Sequence, residues 1–197
     1  TIPESLDGKY FKVKGGVLTD ITSAGQSYLA GQGRNGVLVL PSSITRIDNG
    51  VFKQRFQNFK AIYAEGVTEV GSFAFNETGS LNFAHLPKLK QLGEAVFTAN
   101  ASLTAVNFPL LEEIGDVCFS GGANFSGNGL KITYVSIPAA KKIGSGAFHG
   151  NYKHSGVTFI LGAQPEVNTK AYEDYPQEGF VAFGQLKSPV LYVTPEH

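Results

Sequence analysis

Apolar residues recur along this chain in a fixed phrase, clearest over residues 103–119. Leu103, Val106, Phe108, Leu111, Ile114 and Phe119 are separated by polar or small positions, with Pro109 and Gly115 as punctuation. Its front part alternates, Val106 and Phe108 around Asn107, which is the period of a strand with one buried face. Proline cannot donate to a ladder, so Pro109 ends the strand and sends the chain to the far side. The Gly-x-x-small-Phe segment that follows predicts a tight turn with at most a short helical piece.

The phrase repeats. Phe52, Phe75, Phe97, Phe119 and Phe148 lie 23, 22, 22 and 29 residues apart. Ile47, Val70, Leu92, Ile114 and Ile143 run five residues ahead of them, and Ile44, Val67, Leu89, Leu111 and Ala140 three residues earlier again. Pro41, Pro87, Pro109 and Pro138 close the strand-like runs, with Glu65 in that slot of the second repeat. Coincident columns at this period mean a solenoid. The predicted strands are Val37–Leu40, Lys60–Ala64, Asn82–Leu86, Thr104–Phe108, Thr133–Ile137 and Val157–Leu161. Stacked one per repeat they form a parallel sheet with strands about 4.8 Å apart, and the Phe rings stack along the interior.

The ends differ from the middle. In residues 1–35, Lys9–Lys14 and Val17–Ile21 flank the pair Gly15-Gly16 and predict a β-hairpin. Residues 22–36, rich in Ser, Gly, Gln and Asn, read as loop. A solenoid needs its first apolar layer covered, so 1–35 is expected as an N-terminal cap, 36–161 as the repeats and 162–197 as a closing cap with a final strand before Pro195. The long interval comes from a glycine-rich insertion over residues 121–129.

The motif Leu-x-x-Val-x-Phe-Pro-x-Leu-x-x-Ile-Gly-x-x-Cys-Phe resembles the BspA-type leucine-rich repeat of about 23 residues. So does the lead-in from Phe11 to Pro41, and the likeness runs over roughly residues 9–195. It lacks the Asn/Cys position that follows the strand in the commoner leucine-rich repeat. The resemblance implies a right-handed leucine-rich-repeat superhelix, mainly β, with one short parallel strand per repeat and turns or helical pieces opposite. It also implies a secreted or surface-anchored protein of gut or oral anaerobic bacteria, with roles in adhesion and in binding host or matrix proteins. The family has no catalytic motif to carry over.

Composition narrows the partners. Sixteen basic residues balance sixteen acidic ones, leaving no electrostatic footprint for nucleic acid or an anionic membrane. No apolar run is long enough to span a bilayer. A single cysteine rules out an intramolecular disulfide and a Cys-cluster metal site. The chain opens at Thr1 and contains no Met, which reads as a processed chain whose signal or lipid anchor has been removed or lies outside it.

Candidate chemistry is sparse. His85, His149, His154 and His197 lack metal-ligand spacing and read as exposed loop histidines. Cys118 shares its column with Val51, Ala74, Val96 and Ala147, which makes it a small buried residue rather than a nucleophile. Glu112-Glu113 share slots with Thr45-Arg46, Thr68-Glu69, Lys90-Gln91 and Lys141-Lys142 and read as a solvated turn. Asn76, Asn100 and Asn124 head Asn-x-Ser/Thr sequons in predicted turns, where Asn is favoured for its backbone chemistry. No cofactor is implied.

What remains is the outward face of the strands. Tyr63, Phe83, His85, Asn107 and Tyr134 project there as an aromatic, nearly uncharged patch suited to a peptide or a sugar. Tyr, Phe and Thr also favour strands for packing reasons alone. The expected function is a non-enzymatic binding module engaging a protein or glycan through this face. The alternative is a structural spacer or stalk with no ligand of its own.

Overall fold

The computed structural model describes residues 8–31, 36–53, 59–121, 131–149, 157–162, 165–168 and 190–193. The chain is a mainly-β solenoid. It begins with β1 (Phe11–Lys14) and β2 (Val17–Ile21), an antiparallel hairpin joined by Gly15 and Gly16 at φ 57° and 78°. Both central residues of such a turn need positive φ, which the glycine pair supplies.

Residues 22–36 are not all loop: Ser23–Gly31 form a helix, α1. Thr22 caps it, its hydroxyl accepting from the Gly25 N–H at 3.0 Å. Only Leu29 is a fully buried anchor, while the Tyr28 ring meets Tyr10 with centroids 4.9 Å apart. Gly25 is required, because a Cβ there would lie 2.2 Å from the Tyr10 carbonyl oxygen. A glycine chosen for close approach looks in sequence like a loop signal.

The long strands are β3 (Gly36–Leu40), β5 (Phe59–Ala64), β7 (Phe83–His85), β9 (Ala105–Asn107), β11 (Tyr134–Ile137), β13 (Thr158–Leu161) and β15 (Val190–Val193). Between them sit two-residue strands: β4 (Arg46–Ile47), β6 (Glu69–Val70), β8 (Gln91–Leu92), β10 (Glu113–Ile114), β12 (Lys142–Ile143) and β14 (Glu166–Val167). The short strands extend the hairpin into an eight-stranded sheet, β1-β2-β4-β6-β8-β10-β12-β14. Each coil therefore has a second wall of sheet in the place read from sequence as a solvated turn. Two residues are too few for alternation to show.

The third wall is made of turns, and it too is hydrogen-bonded from coil to coil. Phe52 N–H donates to Ala74 O at 2.8 Å, Phe75 to Val96 at 3.1 Å, Phe97 to Cys118 at 2.8 Å and Phe119 to Ala147 at 2.7 Å. Inside lies the aromatic spine. Successive rings Phe52, Phe75, Phe97, Phe119 and Phe148 stack at 5.0, 5.5, 5.3 and 5.1 Å, within 13° of parallel. All five are at most 1% exposed. The periodicity of the sequence is the periodicity of this stack.

Candidate functional site

The strand face carries the predicted residues in two groups. On β5 and β7, Tyr63 stands opposite His85 in register and Ala61 opposite Phe83. The Tyr63 ring lies 5.6 Å from both Phe83 and His85, and the last two are 6.5 Å apart. Tyr63 is 39% and Phe83 46% exposed, so the cluster presents its rings to solvent. On β9 and β11, Ala105 stands beside Tyr134 and Asn107 beside Ser136. Tyr134 and Asn107 are exposed and Ser136 is buried.

Two exposed residues were not singled out from the sequence. Glu65 occupies the slot that holds proline in other coils, and its Oε1 lies 2.9 Å from His85 Nε2. The broken proline column was the available signal. Leu110, directly after Pro109, is 45% exposed and had no sequence mark.

The remaining candidates resolve into structure. Cys118 is fully buried, and burial pushes its thiol up to about 12, which keeps it protonated and unreactive at neutral pH. Glu112 and Glu113 are engaged with the next coil. Lys141 Nζ donates to Glu112 Oε2 at 2.9 Å, and Lys142 Nζ lies 4.0 Å from Glu113 Oε1. The Lys141 hydrogen bond, with its charge, holds the Glu112 carboxyl below its ordinary value.

Among the histidines, His149 is a correction: it is 2% exposed, following Phe148 into the interior, rather than an exposed loop residue. His85 is half-buried on the strand face; His154 and His197 lie outside the described residues. Among the described residues no group of three His, Cys, Asp or Glu is placed to hold a metal ion.

The two sequon asparagines among the described residues are buried, not displayed. Asn100 is 0% and Asn76 7% exposed. Asn100 Nδ2 donates to Phe75 O at 2.8 Å, and its Oδ1 accepts from the Thr78 hydroxyl at 2.7 Å. A second series of polar rungs follows the short strands. Asn49 Oδ1 accepts from Ser72 N–H at 2.9 Å, Ser72 Oγ from Glu94 N–H at 3.1 Å, and Asp116 Oδ1 from Ser145 N–H at 2.7 Å. These side chains tie coils together on the wall away from the long strands. Asn124 and all but Gly121 of the 121–129 insertion lie outside the described residues.

A model of the BspA-type leucine-rich repeat region matches residues 31–155 in six copies, more than half of the chain. The chain belongs to the BspA-type leucine-rich repeat family. No curated protein matches this leucine-rich repeat chain in sequence.

Among solved structures it is similar to the pneumococcal vaccine antigen PcpA, with a TM-score of 0.64 and 18% identity over 98% of this chain. It spans 42% of the PcpA chain, so it corresponds to under half of that molecule. A leucine-rich repeat protein from Bacteroides ovatus matches at TM-score 0.48 and 19% identity, covering 81% of this chain and 42% of that one. A leucine rich cell surface protein from Faecalibacterium prausnitzii matches at 0.39 and 15%, covering 82% and 55%. At 18% identity the similarity to PcpA speaks for the fold alone.

Proposed function

We propose that this leucine-rich repeat chain is a non-enzymatic binding module of a secreted or surface-attached bacterial protein, engaging a protein or glycan through its strand face. The observation that carries the reading is the Tyr63–Phe83–His85 cluster. Three rings sit in contact on the outside of a sheet whose inward positions already supply the core, so packing of the interior does not call for them. Aromatic side chains with one face in water are the usual anchors of binding surfaces.

The family supports a scaffold role, and the similar structure described as a vaccine antigen supports an extracellular location. No described helix is long and apolar enough to cross a membrane. A non-enzymatic reading is supported by the candidate groups among the described residues: Cys118 is buried, and Glu112 and Glu113 are held by lysines.

The test is surface plasmon resonance of the chain against immobilised fibronectin, fibrinogen, laminin and collagen and a panel of glycans. The wild-type chain is expected to bind at least one of them. Tyr63→Ala, Phe83→Ala, Tyr134→Ala together are expected to abolish that binding; undiminished binding rejects the face. The continuous phenylalanine spine favours a second reading, a stiff spacer. That reading takes over if the triple variant leaves every binding activity of the full-length protein intact.

A further inference from the structure

The long strands do not form one sheet. β3, β5 and β7 make one ladder and β9, β11, β13 and β15 another, although β7 and β9 belong to consecutive coils. On their other walls these coils stay joined: Glu112 N–H donates to Lys90 O at 2.8 Å, Gly115 to Leu92 at 2.9 Å and Phe97 to Cys118 at 2.8 Å. The interruption is therefore a seam confined to the strand face. Solvent access reports it independently. Ala84, the inward residue of β7, is only half-buried, whereas Leu38, Ile62, Val106 and Val135 in the same column are at most 1% exposed.

The seam leaves polar backbone to be satisfied. Phe108 N–H donates to Ser136 O at 3.0 Å, towards β11. Hydrogen-bonding groups alternate sides along a parallel strand, so Val106 also faces β11 while Ala105 and Asn107 turn their N–H and C=O towards β7. Strand groups outside a ladder must be met by water or by a ligand. Both residues also have exposed side chains. Across the seam stand Phe83 and His85, with Tyr63 beside them.

These lips specify a ligand chemistry. One small group must both donate and accept, which a hydroxyl does. An apolar face is needed against the rings, which the C–H face of a pyranose supplies. The ligand should be neutral, because Tyr63, Phe83, Ala105, Asn107 and Tyr134 carry no charge. A peptide strand fits less well. Laddering with both lips would require it to stand about 4.8 Å from each strand, parting coils that the other walls hold together.

We propose that the seam between β7 and β9 is a subsite for a neutral glycan, with Ala105 and Asn107 backbone groups bonding its hydroxyls and Phe83 and Tyr63 covering a sugar ring. This rests on the strand-face reading and narrows its ligand.

Nitrogen-15 NMR of the chain tests it in two steps. Without ligand, the Ala105 and Asn107 amides should exchange at least about tenfold faster than that of Ser136, which faces β9 inside a formed ladder. Exchange as slow as Ser136 closes the seam and overturns the proposal. Cellohexaose, xylohexaose, mannohexaose and maltohexaose are then added in turn. At least one should shift the Ala105 and Asn107 resonances and slow their exchange, and Phe83→Ala should remove the effect. Fast exchange with no shift from any of the four overturns the glycan assignment. The strand-face reading is judged separately, by loss of matrix-protein binding in the triple variant.

Discussion

The turn wall and the long-strand wall are built from the same coils, yet one repeats its residues and the other does not. After β6, β8, β10 and β12 the turn wall places Gly71, Gly93, Gly115 and Gly144. A Cβ on these would meet the preceding coil at 2.3, 2.6, 2.3 and 2.6 Å. Five residues beyond the short strand comes the Phe spine. The strand wall, at matching outward positions, reads Val39, Tyr63, His85 and Asn107. The difference teaches where packing dictates identity. Positions caught between coils repeat, and positions facing water are free to carry something other than the fold.

The largest blow to this contrast should come from the spine. Phe97 is 1% exposed and stacks between Phe75 and Phe119, so Phe97→Ala is expected to cost about 3–5 kcal/mol in chemical denaturation. Gly115→Ala should follow. Its Cβ would lie 2.3 Å from Gly93 O and 2.4 Å from Gly93 C, backbone that cannot yield without parting two coils. A loss of about 1–3 kcal/mol is expected.

A smaller effect has the opposite sign. Gly50, Phe73, Ala95, Val117 and Gly146 form one column three residues after the short strands, all left-handed with φ 65°, 61°, 53°, 48° and 61°. The conformation lets the N–H groups of Gly50, Phe73, Ala95 and Val117 reach the next coil, as Ala95 does to Asp116 O at 2.9 Å. For a residue with a Cβ it costs about 1–2 kcal/mol. Ala95→Gly removes that strain and loses one buried methyl worth about 0.8 kcal/mol. It should therefore stabilise the chain by up to about 1 kcal/mol, whereas Ala74→Gly, buried without a positive φ, should destabilise it.

The smallest effect is electrostatic. Lys141 holds the Glu112 carboxyl low, so this pair contributes stability above the ordinary carboxylate value and loses it as pH falls through the lowered one. Lys141→Ala should raise the Glu112 titration midpoint in NMR. It should leave neutral-pH stability nearly unchanged, since the pair lies in solvent.

How much of this was legible depends on how each wall marks the chain. The Phe spine and the long strands were readable because burial every 22–23 residues leaves columns of one residue type. The two-residue strands were not, since Arg46-Ile47 and Glu113-Ile114 look like any turn until the coils are stacked. The left-handed column hid for the same reason: Phe73, Ala95 and Val117 give no sign of positive φ. Helix α1 was masked by Gly25, whose role is contact with Tyr10. On the face, Tyr63, Phe83, His85, Asn107 and Tyr134 followed from alternation. The Glu65 partner and the β7–β9 seam depend on register between coils, which no single repeat contains.

The central claim, that the spine holds the fold and leaves the strand face available, is tested most directly by thermal unfolding of Tyr63→Ala, Phe83→Ala beside wild type. The account predicts midpoints within about 2–4 °C of each other, the shift that 1 kcal/mol gives in a chain of this size. A drop comparable to that of Phe97→Ala would show that the rings on the strand face are part of the core, and would contradict it.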